Sequence, residues 1–312
     1  GVEMRILLCG GAGPPGAQTY VVLVERGHDV VVLDNFSNSS PGVLARLRQI
    51  TGRPVPFQPL DLRDRDAVTG FFAHQAFDAV VHFAALKSVG ESCERPLDYF
   101  HNNIGGTLNL LHGMREAGVD RLVFSSSATV YGDPDHVPVR EDARLQVTNP
   151  YGRTKLVMEE LIGDLCRSDA GFHAANLRYF TPVGAHASGL IGEDPTGIPN
   201  NLMPYICQVA VGRRDRLSVF GGDWPTVDGT GVRDYIHVMD LVRAHDDALD
   251  FLVRERRSLT VNLGTGQGIS VLQLVEAFAQ AAARRIPYQV VARRPGDVAE
   301  VYADPSLAQR TL

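Results

Sequence analysis

A short apolar strand that runs directly into three evenly spaced glycines limits the folds open to this chain more than any other stretch. Arg5-Ile-Leu-Leu-Cys9 shows no polar alternation, which suits a strand buried on both faces of a parallel sheet. Gly10-Gly-Ala-Gly13-Pro14-Pro15-Gly16 follows, a G-x-x-G-x-x-G spacing that turns a strand into a helix and keeps backbone close to a bound phosphate. The pattern then repeats without glycines. Asp29-Val-Val-Val-Leu33 is a second strand closed by Asp34, and Val55-Pro-Phe57 leads to Asp61-Leu62. Ala79-Val-Val-His-Phe83 ends in the small residues Ala84 and Ala85. Pro96 opens a long helix over 96–117 with apolar Leu97, Phe100, Ile104, Leu108 and Leu111. A fifth strand at 121–124 ends in Ser125-Ser-Ser-Ala-Thr129, a helix covers 151–167, and a strand lies around Asn176-Leu-Arg-Tyr179. This alternation predicts an α/β fold, a doubly wound parallel Rossmann-type sheet.

Ligands of such sheets sit at the carboxyl ends of the strands, and Asp34, Ala84, Ser127 and Tyr179 all fall there. Asp34 lies about 20 residues beyond the glycine loop, where an NAD ribose diol would need an acceptor. It would repel the 2′-phosphate of NADP. The plainer reading of Asp34 is a turn or helix-cap residue. Asp61 and Leu62 are candidates for the adenine end.

After Phe180 the texture changes. Residues 181–201 are rich in Gly, Pro, Asn and Asp and read as long loops. Strands are expected at Leu217–Phe220 and Leu259–Leu263, with a helix at 271–283. The expected division is therefore a dinucleotide-binding domain over 4–180 and a smaller substrate lobe over 181–312, some of whose segments pack back on the first. The 312 residues give ample core, and a net charge of −6 gives no reason to expect nucleic acid. Cys9, Cys93, Cys166 and Cys207 lack metal-ligand spacing, which favours reduced thiols in a cytoplasmic enzyme without a metal. No signal peptide or membrane span is expected, and Gly1-Val2-Glu3 before Met4 reads as a cloning remnant.

Tyr151 and Lys155 carry the chemistry in this reading. Four residues apart on one helix, they share a face. A phenol titrates near 10, so a base working at neutral pH needs a shift of ~3 units, or ~4 kcal/mol. One cation at ~5 Å supplies roughly 3 kcal/mol at an effective dielectric of ~20. An oxidised nicotinamide would complete the shift. Taken alone, Tyr-x-x-x-Lys is also an ordinary surface pair.

Together with Gly10-x-x-Gly13-x-x-Gly16 and Ser125-Ser-Ser-Ala-Thr-Val-Tyr-Gly132, that pair resembles the extended short-chain dehydrogenase/reductase superfamily. Further runs are similar to its UDP-galactose 4-epimerase family along nearly the whole chain. They include His82-Phe-Ala-Ala-Leu-Lys-Ser-Val-Gly-Glu-Ser92, Asn102-Asn-Ile-Gly-Gly-Thr107, Pro182-Val-Gly-Ala-His186 and Gly197-Ile-Pro-Asn-Asn-Leu-Met-Pro-Tyr205. Asp228-Gly-Thr-Gly-Val-Arg-Asp-Tyr-Ile-His237 and Arg294-Pro-Gly-Asp297 complete the set. The resemblance implies interconversion of UDP-galactose and UDP-glucose through oxidation at C4, turning of the 4-keto sugar and re-reduction. Tyr151 would be the base, Ser127 its hydrogen-bonding partner and Lys155 the group that holds the nicotinamide ribose. Dinucleotide contacts are implied for Gly10, Gly13, Pro14, Pro15, Gly16, Asp34, Asn35, Asp61, Leu62, Phe83, Ala84, Ala85, Lys87, Asn102, Ser125 and Tyr179. UDP-sugar contacts are implied for Lys87, Tyr179, Phe180, Thr181, Asn201, Leu202, Ser218, Phe220, Arg233, Arg294, Asp297 and Val301. Arg233 suits a diphosphate because a planar guanidinium binds two oxygens at once; its plainer reading is a salt bridge to Asp228 or Asp234. A homodimer through the helices at 96–117 and 151–167 is also implied, as is a further helix beyond Leu312.

The chain departs from the family pattern at three places. Pro14-Pro15 replaces a Tyr-Ile pair whose backbone donors meet the pyrophosphate, so NAD is expected to bind more loosely; two lost hydrogen bonds to a charged group cost ~3–6 kcal/mol. Thr181 replaces an asparagine. Val301 stands where bacterial members often have tyrosine, leaving room for N-acetylhexosamines. Two alternatives remain: a sugar-nucleotide 4,6-dehydratase, disfavoured because Ser126-Ser127-Ala128-Thr129 carries no carboxylate, and an NAD-impaired UDP-sugar-binding protein, disfavoured because Ser127, Tyr151 and Lys155 are all present.

Overall fold

In the computed structural model, residues 2–37, 42–183 and 202–312 are described. The strands in chain order are β1 (Arg5–Cys9), β2 (Asp29–Asp34), β3 (Phe57–Pro59), β4 (Ala79–His82), β5 (Arg121–Ser127), β6 (His173–Tyr179), β7 (Thr181–Val183), β8 (Leu217–Phe220), β9 (Val232–Arg233), β10 (Tyr235–His237), β11 (Leu259–Leu263), β12 (Ile269–Ser270), β13 (Tyr288–Val291) and β14 (Glu300–Val301). Seven of them form one parallel sheet in the order β11-β6-β5-β4-β1-β2-β3.

Side chains alternate across a strand, and β1 shows both faces buried: Ile6 and Leu8 enter one apolar cluster, Leu7 and Cys9 the other. Helices cover each face. The α-helices are α1 (Pro14–Glu25), α2 (Gly42–Thr51), α3 (Arg65–Phe72), α4 (Val89–Glu94), α5 (Pro96–Tyr99), α6 (Gly106–Glu116), α7 (Pro150–Ser168), α8 (Leu202–Ala210), α9 (Val238–Glu255), α10 (Val271–Ala282) and α11 (Ser306–Thr311). The β1 neighbours reverse direction in sequence between β2 and β4, so the crevice outside the carboxyl ends of β1 and β4 is the switch point where such sheets bind ligands.

Two expectations need correction. Leu259–Leu263, placed in the smaller lobe from the sequence, is β11, the seventh strand of the main sheet, paired from Leu259↔Ala175 to Leu263↔Tyr179. Its run Leu-Thr-Val-Asn-Leu is apolar enough for either location, and only its partner decides. The helix expected over 96–117 is interrupted by a π-turn at Phe100–Gly105 between α5 and α6. That wider turn faces Asn103 inward, where it is fully buried and bonds the Leu86 backbone through both its amide atoms. The remaining strands form small sheets, β10-β7, β12-β9-β14 and β13-β8, with α8 and α10 packed around the last of them.

Candidate active site

Tyr151 is placed by the start of α7. Asn149 caps the helix, its side-chain oxygen accepting from Gly152 N at 2.8 Å, and Pro150 needs no backbone partner at the first position. Tyr151 N donates to Ser92 Oγ at 3.0 Å. The ring is 8 % exposed, and its hydroxyl hydrogen-bonds Ser127 at the end of β5. Ser127 is held in turn by the Thr129 hydroxyl at 2.9 Å. Lys155, one turn further along α7, is 2 % exposed and donates to the Ser125 carbonyl at 2.7 Å. Its Nζ lies 6.0 Å from the Tyr151 ring centroid and 5.1 Å from that of Phe124. Ser125, Ser127, Tyr151 and Lys155 are thus brought together.

The electrostatics reverse the expectation for the polypeptide's own groups. Burial pushes the Tyr151 phenol up to about 12, against the Ser127 hydrogen bond, which favours the ionised form. Burial and then the Lys87 charge pull the Lys155 ammonium down to about 7, opposed by Glu159. Lys155 is committed to a carbonyl and does not depress the phenol by itself. The dry setting, which the residue types alone do not announce, outweighs one cation at this separation.

Tyr179 closes the site from the end of β6. Burial holds its phenol well above the usual range, while a hydrogen bond with Ser125 opposes the shift. Its hydroxyl meets Nε2 of His245 on α9. His245 Nδ1 lies 2.9 Å from the Leu241 carbonyl and donates to it, so Nε2 is the acceptor and Tyr179 the donor. Phe83 stacks against His245, ring centroids 4.7 Å apart. The sequence reading missed His245, whose only signal is a histidine on the buried stripe of α9 with Leu241, Ala248, Leu249 and Leu252. It also missed Glu159 and Arg178, which pair beneath Lys155; the signal was an acidic residue four positions beyond Lys155 on the same helix face.

On the cofactor side, Gly10 has φ +80°, and a Cβ there would stand 2.7 Å from Ala84 N. A Cβ on Gly16 would lie 2.3 Å from the Gly10 carbonyl oxygen. The loop and β4 therefore meet backbone to backbone, and the shape suits a dinucleotide at the switch point. Gly13 has room for a side chain and caps α1, with Pro14 and Pro15 at its first two positions. Asp34 braces this loop, accepting from Ala12 N at 3.0 Å and from Phe36 N at 2.7 Å, so the turn reading of this residue is realised. Asp61 is held below the ordinary carboxylate range first by its hydrogen bond to Arg63, despite partial burial, and Asn35 also reaches it. Leu62 is buried under Gly106, Asn102 donates to Asn103 at 2.9 Å, and Ala85 is half-buried beside Ala84. Lys87 is exposed yet near enough to Lys155 to act on its charge.

On the substrate side, Thr148 Oγ1 donates to the Gly296 carbonyl at 2.8 Å, which docks the segment 294–297 against the start of α7. Arg294 pairs with Asp297 at 3.0 Å and lies 4.6 Å above the Phe220 ring. Arg233 donates to the Val232 and Val298 carbonyls at 2.8 and 2.9 Å. Burial lowers its pKa, with Asp297 opposing. The salt bridge to Asp228 or Asp234 is not formed: Asp228 takes Thr230 and Ser270, and Asp234 takes Thr265, Gly266 and Ala303. Ser218 is half-buried on β8. Thr181 N bonds the Asp234 carbonyl at 2.8 Å, and Val301 is buried against Phe180 and Tyr131. Asn201 and the side chain of Leu202 lie outside the described residues. Among the described residues no group of His, Cys, Asp or Glu could hold a metal, and no helix is long and apolar enough to cross a membrane.

The chain is 53 % identical over 309 residues to the UDP-glucose 4-epimerase of Bacillus subtilis, covering 99 % of this chain and 91 % of that one. It is 53 % identical over 315 residues to the UDP-glucose 4-epimerase of Homo sapiens, covering 99 % and 90 %. Among solved structures, that of UDP-glucose-4-epimerase from Stenotrophomonas maltophila with bound NAD and formylated UDP-arabinopyranose matches with a TM-score of 0.95, 55 % identity and 99 % and 92 % coverage. The Bifidobacterium longum UDP-glucose 4-epimerase in complex with NAD+ and UDP matches with a TM-score of 0.95, 47 % identity and the same coverage, 99 % and 92 %. The NAD dependent epimerase/dehydratase profile matches residues 6–264, and with the glycine loop, Tyr151 and Lys155 in place the chain belongs to that family.

Proposed function

We propose that the chain interconverts UDP-galactose and UDP-glucose. The observation that carries the reading is the buried Tyr151 phenol, hydrogen-bonded to Ser127 and one turn from Lys155, at the carboxyl edge of the sheet. The relatives that share about half its residues have this activity in their names, and the solved ones hold NAD with UDP or a UDP-sugar. NAD held by the Gly10–Gly16 loop and Lys155 would supply a hydride acceptor and donor for sugar C4, so that oxidation and re-reduction of the sugar balance within one cycle.

Tyr151 takes the proton from the 4-hydroxyl and later gives it back, while Ser127 hydrogen-bonds the same oxygen. The surroundings of Tyr151 keep it neutral at rest, and positive charge arriving with the ligand pulls its pKa down from there, towards a working base. Lys155, which donates to the Ser125 carbonyl, is the group that holds the dinucleotide ribose in this reading. Arg233 and Arg294, with Asp297 between their charges, bind the diphosphate; Phe220, Ser218, Thr181, Asn201 and Leu202 complete that side. Thr181 cannot offer an amide donor, so its contact is weaker than asparagine would give. The small side chain of Val301 admits UDP-N-acetylhexosamines as well.

Exposed Leu97 (80 %) and Leu108 (42 %), on α5 and α6, support a homodimer formed across the 96–117 side of that helix pair. The four free cysteines suit a cytoplasmic setting. The test is conversion of UDP-galactose to UDP-glucose with saturating NAD, beside Tyr151→Phe. The variant is expected to lose ~100- to 10,000-fold in kcat. Unchanged turnover in that variant would sink the mechanism.

A further inference from the structure

A helix leaves its first amide hydrogens without intrahelical partners, and these together with the helix dipole are what grip a phosphate at an N-terminus. The first two residues of α1 are Pro14 and Pro15, which have no amide hydrogen. The amides just before the helix are already engaged. Ala12 N donates to Asp34 Oδ2 at 3.0 Å, and Gly13 N to the Gly10 carbonyl at 3.3 Å. One position beyond Gly16, Ala17 N turns back to the Gly13 carbonyl at 2.7 Å. Gly16 is therefore the first helical residue that brings an amide hydrogen to this end. The loop itself carries no basic side chain, since Gly10 to Tyr20 contains no lysine or arginine. Shape is not the obstacle, because Gly10 and Gly16 keep the loop as tight as backbone contact allows.

We infer that this chain holds its dinucleotide as an exchangeable ligand, in equilibrium with free NAD. The inference rests on the epimerase reading for the identity of the ligand. Its cause is local: two donors to a doubly charged pyrophosphate are missing from the helix end that would supply them.

The test uses the full chain. Dinucleotide content is measured by absorbance and mass spectrometry before and after desalting, and NAD is titrated into stripped protein by calorimetry. Wild type is compared with Pro14→Ala, Pro15→Ala and the pair, which restore the amide hydrogens in a residue suited to a helix start. Wild type is expected to lose its dinucleotide on desalting, and the paired variant to bind NAD about 100-fold or more tightly. The single variants give intermediate steps and a second measurement should the pair fold poorly. A wild-type protein that keeps one NAD per chain through desalting would overturn the inference, as would an alanine pair with unchanged affinity. Epimerisation is assayed separately at saturating NAD. Absence of turnover there counts against the catalytic reading alone and leaves the binding result standing.

Discussion

Glu159 and Arg178 form a buried two-pronged ion pair one helical turn beneath Lys155. Arg178 Nη2 lies 2.8 Å from Glu159 Oε1 and its Nε 3.1 Å from Oε2, which also accepts from the Ser126 hydroxyl. The same guanidinium reaches the Tyr131 hydroxyl at 3.0 Å and the Glu141 carbonyl at 3.1 Å. The pair ties the helix bearing Tyr151 to β6 and sets a negative charge under a positive one. Breaking such a pair leaves a charge buried without compensation, which costs about 3–5 kcal/mol. Glu159→Gln is expected to lower the urea midpoint accordingly. A midpoint equal to wild type would show that the pair does not brace the helix.

Lys155 makes stability depend on pH in an unusual direction. Its folded pKa is about 7 and its ordinary value 10.5. Below pH 7 both folded and unfolded chains carry the charge, and the cost of burying it is full. Between 7 and 10.5 the unfolded chain binds the extra proton, so stability rises with pH, by at most about 1.4 kcal/mol per unit. Tyr151 works the other way only above pH 10, because its pKa is raised from 10.0 to about 12. Stripped protein is therefore expected to be more stable to urea at pH 9 than at pH 7, and Lys155→Met to flatten that rise. A wild-type profile already flat across the window would contradict the assignment.

His245 offers an acceptor to the half-buried Tyr179 phenol. Burial pulls its own pKa down to about 4, so it stays neutral and keeps the tautomer that receives Tyr179. His245→Phe leaves the Tyr179 hydroxyl without that acceptor, at a cost of about 1–3 kcal/mol. His245→Gln, which retains a carbonyl oxygen, is expected to lose less. Equal unfolding midpoints for the phenylalanine variant and wild type would argue that the contact carries no weight.

Val301 sits 6 % exposed against Phe180, next to Arg233 in the paired strands β9 and β14. Wild type is expected to turn over both UDP-galactose and UDP-N-acetylgalactosamine in a coupled assay. Val301→Tyr should keep the first activity and lose at least about 10-fold of the second, since discrimination by one added group is modest. Turnover of UDP-galactose with none of the N-acetyl sugar by wild type would remove this reading of the pocket.

What could be read from the sequence was local. The glycine loop after β1, the start of α7 and the four-residue spacing of Tyr151 and Lys155 are set by neighbours within a turn or two. Glu159–Arg178 and Tyr179–His245 join residues 19 and 66 positions apart, and nothing near either partner announces the other. Leu259–Leu263 posed the same problem: its composition suits a strand but its place depends on β6, some 84 positions earlier. The sign of the electrostatics was also hidden, because desolvation belongs to the packed site and not to the pair of residue types.

The late arrival of β11 bears on how the molecule is made. Until translation has passed Leu263, the outer flank of β6 presents unpaired amides and carbonyls beside apolar Ala175 and Leu177. His245 and Asn262 also emerge late, so Tyr179 and Tyr131, already within reach of Ser125 and Arg178, gain their hydroxyl acceptors only then. A nascent chain stalled near residue 250 would carry the complete Tyr151–Lys155 helix and still be an adhesive, unfinished sheet.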